Sequence, residues 1–197
     1  TMLLQVMQVG DVYLVAVPAE YFTVLGLEIK RRSPFPNTFV CGLSNDYVGY
    51  LPDRKGFQNG GYQTWMGLHC FAEVGTGELV VEQCLEMLNE LVASPGTDKA
   101  PANSANEEQP SQARAGGEAD NQNFRAGAAA VDITPTEMPR IIAGGFLEGR
   151  GDQVQDRLFV RTVVMDDGRT SLAMVIVDTC MMPQDLMDEA KRLVTEA

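Results

Sequence analysis

From Ser94 to Asn123 the chain contains no Val, Ile, Leu, Met, Phe, Trp, Tyr or Cys. The segment reads SPGTDKAPANSANEEQPSQARAGGEADNQN: alanine, proline, glycine, small polar residues and charge. Nothing in it can bury enough apolar surface to offset the entropy of ordering its backbone. The sequence therefore predicts a disordered linker over 94–123, separating two globular pieces at 1–93 and 124–197. Each piece then has to be read as its own folding problem.

Charge narrows the partners. The chain carries 15 Lys and Arg against 27 Asp and Glu, a net charge of −12. The excess is negative in both pieces and in the linker, so no basic face is available for nucleic acid or an anionic membrane. The longest apolar runs fall far short of a transmembrane span. Four cysteines (Cys41, Cys70, Cys84, Cys180) show no CxxC spacing and are expected to pack as small buried apolar residues. The sequence begins at Thr1 with no signal-peptide pattern and ends within an amphipathic run, PQDLMDEAKRLVTEA, without a helix cap. That pattern predicts an excerpt of a longer polypeptide, which leaves the localisation open.

The first piece opens with two apolar runs, MLLQVMQV and VYLVAVP, separated by Gly10-Asp11. This predicts two strands joined by a hairpin turn. Residues 21–32 place Phe22, Leu25 and Ile29 on one helical face, with basic residues in the last turn. A strand at TFVCGLS follows, then a Gly- and Tyr-rich loop from Asn45 to Gln63. The piece closes with GELVVEQCLEMLNELVA, whose Val81, Cys84, Leu85, Leu88 and Leu91 form a core-facing stripe. The second piece starts with an extended entry segment, FRAGAAAVDITPTEMPR, followed by a Gly-rich loop. Two strands, RLFVRTVVM and TSLAMVIVD, are joined by Asp166-Asp167-Gly168-Arg169, a strong hairpin signal. Strands interspersed with helices predict an α/β class with mixed sheets and flanking helices in both pieces.

Few residues announce chemistry alone. His69 is the only histidine and no GxSxG nucleophile elbow is present, so a structural or solvent role is expected for it. Gly144, Gly145, Gly149 and Gly151 lack the spacing of a phosphate cradle and predict a tight loop. Asp166 and Asp167 lie where turn acids are expected. Two places carry more. Glu20 follows a near-continuous apolar strand at Val17-Pro18-Ala19-Glu20, where α/β sites are commonly built. It also reads as a helix-start acid favoured by the dipole. The segment SNDYVGYLPDRKGFQNGGYQTW places three tyrosines in a Gly- and Asn-rich loop. Such a loop either packs over a sheet edge or lines a ligand pocket.

Together these segments resemble the neutral/alkaline non-lysosomal ceramidase family. The first piece is similar to the end of that family's catalytic domain, through VYLVAVPAEYFTVLGLEIKRRS, SNDYVGYLP and GGYQT. The second is similar to its beginning, through AGAAAVDITPTEMP, AGGF, DRLFVRTVVMDDG and the strand ending VIVD. The family's end thus precedes its beginning, which implies two catalytic domains in tandem; a circular permutant is the rival arrangement.

The resemblance implies a zinc-dependent amidohydrolase, and a secreted or extracytoplasmic protein, acting on the amide bond of ceramide or a related N-acyl lipid. The family's zinc ion is held by two histidines, a glutamate and a tyrosine. The glutamate corresponds to Glu20 and the tyrosine to Tyr50. A second tyrosine twelve residues on, which lines the substrate side, corresponds to Tyr62. Ala19 stands where the family has Gly, and Leu51-Pro52-Asp53 replaces a Thr-Thr-Arg-type segment beside the pocket. The zinc histidines and the family's serine and arginine fall outside the matched segments. A non-catalytic binding module that keeps the fold, or a zinc hydrolase of another amide, would fit the same residues.

Overall fold

The structure, a computed structural model, describes residues 2–93, 124–145 and 147–196. The linker expected at 94–123 lies outside the described residues. The chain divides into two compact units, one built from the first piece together with residues from Met181 onward, the other ending at Cys180. It contains helices with both mixed and antiparallel sheets, the α/β class expected.

In the first unit β1 (Gln5–Val9) and β2 (Val12–Ala16) form an antiparallel hairpin in which Val9 pairs with Val12. Gly10 takes φ +60° in the tight connection, a conformation that costs glycine little. The chain then makes a two-residue strand, β3 (Glu20–Tyr21), before α1 (Thr23–Arg32). The helix starts two residues later than its periodicity predicts, because Glu20 and Tyr21 are taken into a ladder. Leu25 and Ile29 point inward as expected, and Lys30, Arg31 and Arg32 occupy the last turn. Next comes β4 (Thr38–Cys41), parallel to β2 with Tyr13 opposite Thr38.

The segment expected as one long loop is more ordered than its composition suggests. It holds β5 (Tyr50–Leu51), the short α2 (Arg54–Asn59) and a 3-10 turn at Tyr62–Thr64. The side chain of Asp53 caps α2, accepting from Gly56 N at 2.9 Å. Helix α3 (Thr76–Ala93) then packs on α1 and buries Val80, Val81, Cys84, Leu85 and Leu88. These join Tyr13, Val15, Val17, Leu25, Ile29 and Leu51 in one core.

The second unit is an antiparallel sheet in which β9 (Phe159–Asp166) lies between β6 (Arg125–Asp132) and β10 (Ser171–Val177). Asp166 and Asp167 serve the β9–β10 turn: their carboxylates accept from the backbone N–H groups of Gly168, Arg169 and Thr170. A small ribbon pairs β7 (Arg140–Ile142) with β8 (Gly149–Gly151), so Gly149 and Gly151 belong to a strand rather than to a loop. Beyond the second unit's end at Cys180, helix α4 (Gln184–Glu196), grouped with the first unit, carries an Arg192 that pairs with both Glu189 and Glu196 at 2.7 Å. Cys70 and Cys84 are buried as expected, but Cys41 and Cys180 are exposed. Cys41 ends an edge strand and Cys180 follows β10, where no packed layer covers them. No helix among the described residues is long and apolar enough to cross a membrane.

Gly77 offers a test of the packing between α3 and the core. A Cβ there would sit 2.6 Å from Leu25 Cδ1 and 2.7 Å from the backbone oxygen of Pro52. Gly77→Ala should gain about 1 kcal/mol of helix propensity and lose about 1–3 kcal/mol to overpacking against a backbone atom that cannot swing away. The expected result in urea unfolding is a net loss of stability, the reverse of the usual effect of Gly→Ala in a helix.

Candidate functional site

Backbone hydrogen bonds build the site before any side chain does. The turn Val17-Pro18-Ala19 is buried and leads the chain out of β2. Val17 N donates to Cys41 O at 2.9 Å, Leu43 N to Ala19 O at 3.1 Å, and Val48 N to Pro18 O at 2.9 Å. This lacing holds the loop after β4 against the turn. Leu43 and Asn45 take positive φ (53° and 66°) to make the path, a strained conformation for leucine above all. Parallel strands β3 and β5 then set Glu20 opposite Tyr50 and Tyr21 opposite Leu51. Glu20 N donates to Gly49 O at 3.0 Å, and Tyr50 N to His69 O at 2.7 Å.

Glu20 and Tyr50 both line an open groove of about 640 Å³, together with Ala19, Phe22, Gly42 and Leu43. Glu20 sits in β3, ahead of Phe22 at the helix cap, and the first turn of α1 holds no acidic residue. The reading of Glu20 as a helix-start acid therefore loses its geometry. Tyr62, in the 3-10 turn, brings its hydroxyl to 3.2 Å from that of Tyr50, and the two rings meet edge-to-face at 5.5 Å. The three residues singled out in the sequence thus lie together. The facing Glu20 carboxylate, then the Tyr62 hydroxyl, hold the proton on Tyr50 and push its phenol above the ordinary tyrosine range.

Two neighbours were not assigned a role from sequence. Tyr47 donates its hydroxyl to Glu20 Oε1 at 3.0 Å. His69, expected to be merely structural, gives its carbonyl to Tyr50 and sets its ring edge-on to Tyr62 at 5.8 Å, with Trp65 6.1 Å beyond. The Tyr-x-x-Tyr spacing at 47 and 50 was the available signal for Tyr47. His69 offered none, because its contact depends on how residues 62–70 fold back.

As zinc donors, a carboxylate and a phenol fit in type, since zinc accepts hard oxygen alongside nitrogen and sulfur. They do not fit in number, being two where a zinc centre takes three or four protein ligands. Among the described residues no three His, Cys, Asp or Glu side chains come together around a common point. No family model, curated protein or solved structure matches this chain.

Two outcomes follow from this geometry. At Gly49, φ is +78° and a Cβ would lie 2.6 Å from His69 O. Gly49→Ala should therefore break the Tyr50–His69 bond and separate the Tyr50 and Tyr62 rings, seen as loss of their cross-ring NOEs. For Tyr50, the folded state keeps a proton that an unfolded phenol releases near about pH 10. Its contribution to stability is therefore complete below about pH 10 and lost as pH rises further. In Glu20→Gln the Tyr50 13Cζ signal should titrate closer to the ordinary phenol range, and unchanged titration would contradict the contact.

Proposed function

We propose that this chain supplies the carboxylate-and-phenol part of a zinc-dependent amidohydrolase site, in a longer protein that hydrolyses the amide bond of ceramide or a related N-acyl lipid. The observation that carries the reading is the convergence of Glu20, Tyr50 and Tyr62, the latter two hydroxyls 3.2 Å apart and the first two residues paired across β3 and β5. These are the residues at which the sequence resembles the ceramidase family's two oxygen ligands and its substrate-side tyrosine.

Each side chain has a task in that chemistry. Glu20 and Tyr50 would hold the metal from the oxygen side, with histidines from outside this sequence completing the set. Zinc, when bound at such a site, lowers the pKa of a water and polarises the amide carbonyl. Tyr62 is 39% exposed, so its hydroxyl can meet a substrate while staying next to Tyr50. A phenol so placed donates to the oxyanion that develops as water adds to the amide carbon. The exposed loop side chains that follow it, Trp65, Met66, Leu68 and Phe71, give an apolar neighbourhood suited to an acyl chain.

The test uses the longer protein, with metal analysis beside fatty-acid release from ceramide and from short N-acyl amides. Glu20→Gln should remove most of the zinc and the activity while leaving the fold intact. Tyr62→Phe should keep the zinc and lower kcat by about 10²-fold, the scale of losing one oxyanion donor. Full zinc content and full activity in Glu20→Gln would overturn the proposal.

A further inference from the structure

We infer that Tyr47 is a positioning residue for Glu20, its hydroxyl pinning one carboxylate oxygen so that the acid keeps one orientation in the groove. The inference takes its chemical meaning from the proposed site, but its geometry stands by itself. Glutamate ends in a carboxylate on a flexible stem, and unless something grips it the group samples several rotamers. Here the Tyr47 hydroxyl donates to Glu20 Oε1 at 3.0 Å.

The grip comes from a fixed point. Tyr47 N donates to Asp46 Oδ1 at 2.7 Å, and the next residue, Val48, donates its N–H to Pro18 O at 2.9 Å. Tyr47 is half-buried, so its ring has packing as well as a hydrogen bond to hold it. The loop and the turn that carry the donor and the acceptor are therefore tied to each other through the backbone on either side of the contact. Tyr50 lines the groove together with Glu20, while Tyr47 meets the carboxylate through its hydroxyl. Its role is to orient the acid, as outer hydrogen-bond partners orient ligating carboxylates in metal sites. The two phenols three residues apart divide the work, Tyr47 bonding the carboxylate and Tyr50 paired beside it along the groove.

The deciding measurement is the order of the Glu20 side chain, from 13C relaxation of the glutamate-labelled 197-residue chain. In the unmodified chain Glu20 should be rigid, and in Tyr47→Phe its order parameter should fall below about 0.6. Tyr50→Phe, which removes the other phenol facing the carboxylate but leaves the Tyr47 bond in place, should loosen Glu20 less than Tyr47→Phe does. Equal order of Glu20 with and without the Tyr47 hydroxyl would overturn the inference, as would loosening seen only in Tyr50→Phe. Should Tyr47→Phe fail to fold, the unmodified chain still decides: a slowly exchanging Tyr47 hydroxyl proton is expected, and its absence overturns the assignment. In the longer protein, Tyr47→Phe should weaken zinc affinity about 10- to 100-fold, with kcat restored at saturating Zn2+. If Glu20→Gln kept its zinc, the metal reading would fall, while Glu20 order would still settle the role of Tyr47.

Discussion

The pairing of Glu20 and Tyr21 with Tyr50 and Leu51 is the contact on which the first unit's chemistry depends. A parallel ladder of two residues has no stability of its own. It persists because both sides are fixed elsewhere. On one side, Val17, Pro18 and Ala19 are buried in the core and bonded to the loop from Cys41 to Val48. On the other, Leu51 is fully buried among Val17, Leu25 and the α3 stripe, and Tyr50 hangs from the carbonyl of His69. The outward-facing side chains of such a ladder inherit that rigidity. A carboxylate and a phenol on adjacent short strands are consequently placed more firmly than their half-exposed positions suggest.

Burial and polarity meet at one residue of this ladder. Tyr21 sits next to the site residue Glu20 but turns inward, donating its hydroxyl to Gly77 O at 3.0 Å. Desolvation, with Cys84 and Glu78 nearby, raises its phenol far above the ordinary range. Along β3 the Glu20 carboxylate thus meets the hydroxyl of Tyr47, while the hydroxyl of the next residue, Tyr21, reaches the start of α3. The close approach of α3 at Gly77 and the polar contact of Tyr21 lock the same helix start against the ladder, which couples the site to the longest helix of the unit.

How much of this was legible follows from how each element is specified. The β1–β2 hairpin, α1, α3 and the β9–β10 hairpin were readable because periodicity and turn residues determine them locally: the Leu25–Ile29 pair and the Val81–Leu88 stripe face the core as expected. Strands β3 and β5 were not readable, since two residues have no period and only their neighbours make them strands. Helix α2 hid in a Gly-rich segment whose one local cue was Asp53 as cap. At the site, resemblance singled out Glu20, Tyr50 and Tyr62. Tyr47 escaped because its partner lies 27 residues away in sequence and the contact requires the strained path through Leu43 and Asn45.

The second unit poses the opposite balance of specification and stability. Its register is fully defined, with β9 hydrogen-bonded on both edges. Cross-strand partners share a face, so Val163 with Met174 and Ala128 lies on one side, and Thr162 with Val175 and Ala129 on the other. Both faces are therefore apolar, the composition of strands covered on two sides. Yet every buried apolar side chain among the described residues lies between Tyr13 and Leu88, while Val131, Val175 and Ile176 remain more than half exposed. The ion pairs Arg125–Asp166, Arg157–Asp132 and Arg161–Asp178 are solvent-accessible, so water and salt screen them and they add little. Hydrogen bonds fix which residues of this sheet face together, but they are nearly matched by water in the unfolded chain. The stability of the sheet must therefore come from apolar contacts on its two faces rather than from its hydrogen bonds or ion pairs.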